Sequence, residues 1–287
     1  MIDREWKKEY NVGCDYIDNA HHKLFKILWK VIDLLSEGEY EKHKHACVEA
    51  IKFLYSYTST HFAEEEAYMR EIGYAGYEAH KKVHDEIKNE TVPMHDKVLQ
   101  ESDYSKESVR EFVGFFTGWL TGHILVMDRA ITDKSLDNIN ESPITVNEKI
   151  IKEIENFAKR FSGYPLTVST QTYDNKVYGE AIYYELSYED TDIVFMVENG
   201  SVKKMIGEMT GKTIEVIDKA VLVSFIQLMM YVGRMVYYSV SSKMIGKPKN
   251  HRIIKMDDVK EYIDKKTVSN YVEWKAEKGN MAVFVLK

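Results

Sequence analysis

Histidines and carboxylates at helical spacing constrain this chain more than any other feature of its sequence. His61 and Glu65 sit four residues apart in the run His61-Phe62-Ala63-Glu64-Glu65-Glu66. On a helix that spacing leaves only about 40° of azimuth between two side chains, so both project from one face. His80 and His84 repeat the spacing, His123 is followed five residues later by Asp128, and His21 stands one turn before Phe25 on an amphipathic run. Each piece alone has an ordinary explanation, since an inward histidine is commonly a hydrogen-bonded core residue and a His-x-x-x-Glu pair is commonly on the surface. Together they put five histidines and two carboxylates on inward stripes of four predicted helices, and burying that many polar groups without a metal ion is costly. The pattern therefore points to a metal site. Its weakest member is Asp128, because five residues of regular helix place it roughly 140° from His123. It needs a distorted last turn or a bridging position to take part. His22, His43, His45 and His95 fit the inward stripes poorly and read as solvated.

Ligand type narrows the metal and the chemistry. Seven side chains exceed what one ion takes, and imidazole with a few carboxylates suits iron, so the set implies a two-metal centre. Bundle enzymes with carboxylate-rich di-iron sites use Glu-x-x-His pairs whose negative charge stabilises oxidised metal. That spacing does not occur here. Five neutral imidazoles with two carboxylates favour a ferrous resting state and reversible dioxygen binding over oxidation of a substrate.

The helices that would carry these residues can be read from apolar periodicity. Asp18 is a suitable N-cap for a first helix with Leu24, Ile27, Leu28, Val31 and Ile32 on one stripe beside His21. A second helix is expected from about Tyr40 to Glu71, ended by Gly73, and a third from about Tyr77 to Gln100 with a kink at Pro93. The fourth is expected from Ser105 to about Asp133, with Phe112, Phe115, Phe116, Trp119, Leu120 and His123 inward. Short connections make this an up-down-up-down bundle, and bundle cores are where metal sites are built. Nine of the ten histidines precede residue 124, and composition changes near residue 135. A polar stretch ending in Ser-Pro reads as a linker over 136–144. The expected domains are thus 1–135 and 145–287.

The first 135 residues resemble the bacteriohemerythrins. The resemblance rests on Trp6, Tyr10, Val12-Gly13, Ile17-Asp18-x-x-His21-x-x-Leu24-Phe25, then His61-Phe62-x-x-Glu65-Glu66-x-x-Met69, then His80-x-x-x-His84, then Trp119-Leu120-x-x-His123-Ile124-x-x-x-Asp128. It implies a non-haem di-iron site bridged by Glu65, Asp128 and a solvent-derived oxo or hydroxo group. His80, His84 and His123 would bind one iron; His21 and His61 would bind the other and leave a position open for dioxygen. Trp119, Leu24, Phe25 and Leu120 would wall the oxygen pocket. Ala20 departs from the glutamine more usual before the first ligand, which affects no ligand.

The second half reads as α/β, with helices on a largely antiparallel sheet. A helix is expected over about Asn147 to Phe161, strands over Leu166–Tyr173, Val177–Leu186 and Asp192–Glu198, helices over Val202–Met209 and about Asp218 to Met244, and strands over Ser269–Glu277 and Met281–Leu286. The order weakly resembles the CheX/CheC/FliY group of chemotaxis phosphatases, in which a long helix carries an acid-x-x-Asn pair. Gln227 and Met230 occupy those places here, and methionine cannot donate the amide hydrogen bond. The domain is therefore assigned to dimerisation or partner binding rather than catalysis.

A net charge of −7 disfavours nucleic acid as a main partner. The charged N-terminus, two cysteines and lack of a long uncharged apolar run lead to an expectation of a cytoplasmic protein that does not insert into membranes. The functional expectation is a di-iron oxygen sensor, not an enzyme, that passes its state through the second domain to a chemotaxis or two-component signalling partner. The alternative is an oxygen or iron carrier whose second domain only makes a homodimer.

Overall fold

The computed structural model describes residues 6–34, 40–132, 144–162, 165–242 and 247–287. The chain divides into two compact units. One comprises residues 1–133 with 209–211 and 218–227, and the other comprises 134–208, 212–217 and 228–287. Most of the expected linker lies outside the described residues.

In the first unit, α1 (Asp15–Leu34), α2 (Tyr40–Glu71), α3 (Tyr77–Glu86), α4 (Val92–Glu101) and α5 (Lys106–Gly122) form a helical bundle. Helix α1 packs on α2 and α5, and α4 also lies against both α2 and α5. Their apolar stripes make the core, with Leu28, Leu54, Phe112, Phe116 and Trp119 almost fully buried. Gly73 ends α2 in a left-handed conformation (φ 67°), letting Tyr74 N–H reach back to the Met69 carbonyl. Ser105 caps α5 by accepting from the Ser108 amide at 3.3 Å.

Two departures from the sequence expectation have local causes. Asp18 lies inside the first turn of α1 rather than at its cap; its carboxylate accepts from the amides of Val12 (2.6 Å) and Gly13 (3.2 Å), so it holds the N-terminal arm onto the helix. The kink expected at Pro93 is a wide π turn over Ile87–Thr91 just ahead of it, in which Val92 N–H bonds the Ile87 carbonyl five residues back. A proline removes a donor and crowds the preceding turn, and the wider turn absorbs both effects. A second π turn, His123–Asp128, follows α5 and leads into the short α6 (Arg129–Thr132).

The second unit is a six-stranded antiparallel sheet in the order β1-β5-β6-β3-β2-β4. Its strands are β1 (Thr167–Thr170), β2 (Ala181–Ser187), β3 (Asp192–Glu198), β4 (Asn250–Ile254), β5 (Val268–Ala276) and β6 (Gly279–Leu286). Alternation along the strands gives the sheet two apolar faces. Tyr183, Val194, Met196, Tyr271 and Phe284 share one face with Val259 and Ile263 of α10 (Met256–Asp264). Phe195, Val197, Trp274 and Val283 share the other with residues of α7 (Val146–Ser162), α8 (Asn199–Thr210) and the C-terminal half of α9 (Lys219–Ser241). The architecture is therefore multidomain, a helical unit and an antiparallel sheet-and-helix unit. Strand β4 and helix α10 are additions to the sequence reading. Helix α9 is long and apolar enough to cross a membrane by composition, contrary to expectation, yet Phe225, Leu228, Met229, Val232 and Val236 along it are buried within the fold.

Candidate metal centre

Each rod of the bundle delivers polar side chains to one point in its core. Helix α1 supplies His21, α2 supplies His61 and Glu65, α3 supplies His80 and His84, and the π turn supplies His123 and Asp128. All seven are at least 97 % buried. They fall into two overlapping groups, Glu65 with His80, His84, His123 and Asp128, and Glu65 with His21 and His61; within each group the candidate ligand atoms lie within 4.8 Å of one another.

The π turn answers the difficulty with Asp128. Arg129 N–H bonds the Ile124 carbonyl, five residues back. An i to i+5 turn returns the fifth residue to the starting face, so His123 and Asp128 point the same way. Asp128 then stands between the two groups: Oδ1 is 3.0 Å from His123 Nε2 and 3.2 Å from His80 Nε2, and Oδ2 is 3.2 Å from His21 Nε2. On the Glu65 side, Oε2 is 3.3 Å from His84 Nε2 and 3.9 Å from His61 Nε2. The Nε2 atoms of His21 and His61 are 3.1 Å apart, and those of His84 and His123 are 3.2 Å apart. Ligands about 2.1 Å from a shared metal and at right angles lie about 3.0 Å apart, so these spacings are those of neighbouring coordination positions.

The donor set itself fits metal ions. Both carboxylate oxygens of Glu65 and of Asp128, and Nε2 of His80, are buried with no hydrogen-bond partner among the described residues, although imidazole nitrogens lie 3.0–3.9 Å from Glu65 Oε2 and from both Asp128 oxygens. Close approach without hydrogen-bond alignment is what lone pairs directed at a common cation produce. Protonation also fits. Burial lowers His61 to about 3, against the opposing pull of Glu65, and burial likewise lowers His123. Burial acts to raise both carboxyls, but the surrounding imidazoles hold Glu65 below its ordinary value and Asp128 well below. His61 and His123 are thus neutral and both acids ionised at neutral pH, the states in which they can ligate. His84 differs: burial acts to lower it, but the adjacent carboxylates of Glu65 and Glu66 carry it up to about 9.

Residues around the cluster fix the rings. Glu66 Oε1 lies 3.2 Å from His84 Nδ1, which directs Nε2 inward. Phe62 stacks on His84 with ring centres 3.8 Å apart and planes 1° from parallel, and Trp119 stacks on His123 at 6.0 Å. Tyr57 lies against His61 at 4.8 Å. Of the expected pocket residues, Trp119, Leu24, Phe25 and Leu120 are all buried. Phe25 packs in an aromatic group with Trp6, Tyr10 and Trp29 rather than on a cluster histidine. The sequence reading did not assign roles to Phe62, Glu66 or Tyr57; the four-residue spacing of Tyr57 to His61 was the available signal. His95 is also corrected: it stacks on Phe115 at 4.1 Å, and burial lowers it to about 4. Gln227 and Met230 are both half-buried on α9.

Comparison with known proteins now decides the family. The model of the hemerythrin HHE cation-binding domain matches residues 12–134. Bacteriohemerythrin of Clostridium acetobutylicum is 35 % identical over 129 residues, spanning 45 % of this chain and 98 % of that protein. The chain belongs to the hemerythrin family. Two further hemerythrins show the same likeness. Bacteriohemerythrin of Pseudomonas paraeruginosa is 29 % identical over 142 residues (47 % of this chain, 84 % of that one), and a hemerythrin chain of Sipunculus nudus is 25 % identical over 123 residues (43 % and 86 %). All seven cluster residues lie within the hemerythrin match. For the C-terminal half, a CheC-like superfamily protein from Shewanella and the chemotaxis protein CheX from Desulfovibrio desulfuricans are structural neighbours, at 13 % and 11 % identity and a TM-score of 0.35 each. They cover 50 % of this chain and 98 % and 100 % of their own.

Proposed function

We propose that the first unit binds two iron ions and, through them, dioxygen, and that the protein is a cytoplasmic oxygen sensor whose second unit relays the state of the centre to a signalling partner. The convergence of five imidazoles and two carboxylates into two groups sharing Glu65 carries the metal reading. In this reading His80, His84 and His123 would hold one iron and His21 and His61 the other, with Glu65 and Asp128 available to both. When bound, the pair would supply reversible dioxygen binding. The chain's own residues do the rest. Trp119, Leu24 and Leu120 exclude water around the centre, while Phe62 and Glu66 hold the His84 ring. With no Glu-x-x-His pair present, oxidase chemistry is disfavoured. Phosphatase chemistry is disfavoured because Met230 lacks the amide that the corresponding chemistry uses.

The sensor role rests on the fusion to a second folded unit, which a simple carrier does not need. Purified protein is expected to hold about two irons per chain, the number that two overlapping ligand groups imply, and to change its visible spectrum reversibly when the reduced form meets air. One zinc per chain, or no bound metal, would overturn the reading. His61→Ala should impair the spectral change, whereas His43→Ala should not. The carrier reading, with the second unit only dimerising the chain, gains if oxygenation leaves every interaction of the second unit unchanged.

A further inference from the structure

A buried arginine in the second unit has no counterion among the described residues. Arg234, on α9, retains 9 % of its exposure, and its Nε and Nη1 are buried without a hydrogen-bond partner. Lysine and histidine can shed their charge in an apolar setting, but a guanidinium does not, so its burial has to be answered by an anion or tolerated at a cost. The Tyr231 ring, 4.9 Å from the guanidinium carbon, supplies only a partial answer.

A second donor stands close by. The Tyr188 hydroxyl is buried and likewise has no hydrogen-bond partner. Burial raises this phenol and the charge of Arg234 opposes the rise, so the hydroxyl lies within the field of the guanidinium. Tyr188 is fixed in place: its ring stacks on Tyr237 at 4.2 Å, and its amide donates to the Thr191 carbonyl across the β2–β3 hairpin. The acids of that hairpin face other groups, Glu189 towards Lys249 at 3.9 Å and Asp190 towards the Thr191 hydroxyl at 3.2 Å. Two guanidinium nitrogens, and a phenol whose ring stacks on Tyr237 about one turn along α9 from Arg234, thus have no acceptor among the described residues. Such a set matches the oxygens of an anion, which can take charge-assisted bonds from the guanidinium together with one from the hydroxyl.

We propose that Arg234 and the Tyr188 hydroxyl bind a small oxyanion, a phosphate or a carboxylate, at the β2–β3 hairpin end of the sheet. The site is independent of the metal centre. Calorimetric titration of the full chain with inorganic phosphate and, separately, acetate, at constant ionic strength, tests it. Saturable binding of one anion per chain is expected, with affinity lowered at least about tenfold in Arg234→Met, as expected for loss of charge-assisted bonds, and by less in Tyr188→Phe. The arm that binds more tightly identifies the anion class. The side-chain Nε–H resonance of Arg234, assigned by its loss in Arg234→Lys, should shift during the same titration, a readout that survives if the methionine variant folds poorly. No binding of either anion, or binding that Arg234→Met leaves unchanged together with an unmoved Nε–H resonance, would overturn the proposal. So would loss of self-association in Arg234→Met with no anion response in the parent, because the partner of the guanidinium would then be a carboxylate of a second copy.

Discussion

Removing the Glu66 carboxylate should loosen metal binding at the three-histidine group, and the loss should depend on pH in a particular direction. Glu66 is no ligand in this reading; it touches His84 Nδ1 at 3.2 Å and leaves Nε2 facing the cluster. Losing such an outer partner generally costs 10- to 100-fold in metal affinity, about 1.4–2.7 kcal/mol. An opposing effect is present in the metal-free protein. There burial acts to lower His84, yet Glu65 and Glu66 hold it at about 9, so near pH 7 a metal must displace a proton. At about 1.4 kcal/mol per unit, that displacement costs about 3 kcal/mol. Glu66→Ala lowers the His84 value and so eases the displacement. Above pH 9 the proton no longer competes and the full orienting loss is exposed; as pH falls, the parent protein weakens faster than the variant and the difference between them narrows. Metal competition against a chelator of known affinity, run from pH 6.5 to about pH 9 on the parent, Glu66→Ala and the exposed neighbour control Glu64→Ala, measures this. Equal affinity for parent and Glu66→Ala near pH 9, or a gap that widens as pH falls, would refute the assignment of Glu66 as the group that orients His84.

Two further outcomes are expected for the bundle. Burial places His95 at about 4 in the folded chain against 6.5 in the unfolded one, so the unfolded state takes up the proton first; stability from this group is complete above pH 6.5, falls as pH drops towards 4, and the total loss is at most about 3 kcal/mol. His95→Phe, which keeps the stack on Phe115, should remove that part of the acid destabilisation, seen as a smaller difference between denaturant midpoints at neutral and acid pH. Phe116 is fully buried, and Phe116→Ala should cost about 3–5 kcal/mol in a denaturant titration, whereas a loss below about 1 kcal/mol would mean that the site collapses around the deletion.

How much of this was legible in the sequence varies by element, for physical reasons. Four-residue spacings found His61 with Glu65 and His80 with His84 because regular helix geometry is local. The bounds of α2 and β3 followed from periodicity in the same way. Asp128 was placed by family resemblance while helical geometry argued against it, since a π turn is selected by what surrounds it rather than by its own six residues. Asp18 has the side chain of a cap, but its partners are Val12 and Gly13 in the arm, which propensity does not specify. Strand β4 is short, mostly exposed and pairs only with β2 at the sheet edge, so it carries no alternation strong enough to read. Helix α10 did carry a signal in the four-residue spacing of Val259 and Ile263, both buried. His95 was misread because nothing in its own helix shows that Phe115 lies opposite.

The π turn at His123–Asp128 also bears on how this helix can vary in length. Such a turn accommodates one residue more than an ordinary helical turn, and each residue of regular helix rotates the remainder of the rod by about 100°. Deleting a single residue between 124 and 127 would restore uninterrupted helix while leaving every histidine and carboxylate in the chain. It would place Asp128 four positions from His123, on nearly the same face and at nearly the same height, and would leave Arg129 and Thr132 in phase, because the wide turn fits its extra residue into about one ordinary turn. Those two residues bond the backbone of Asn11 and Val12 in the N-terminal arm. The added residue therefore leaves two registers undisturbed, that of a carboxylate against three imidazoles and that of the helix end against the arm, so a helix one residue shorter could keep both.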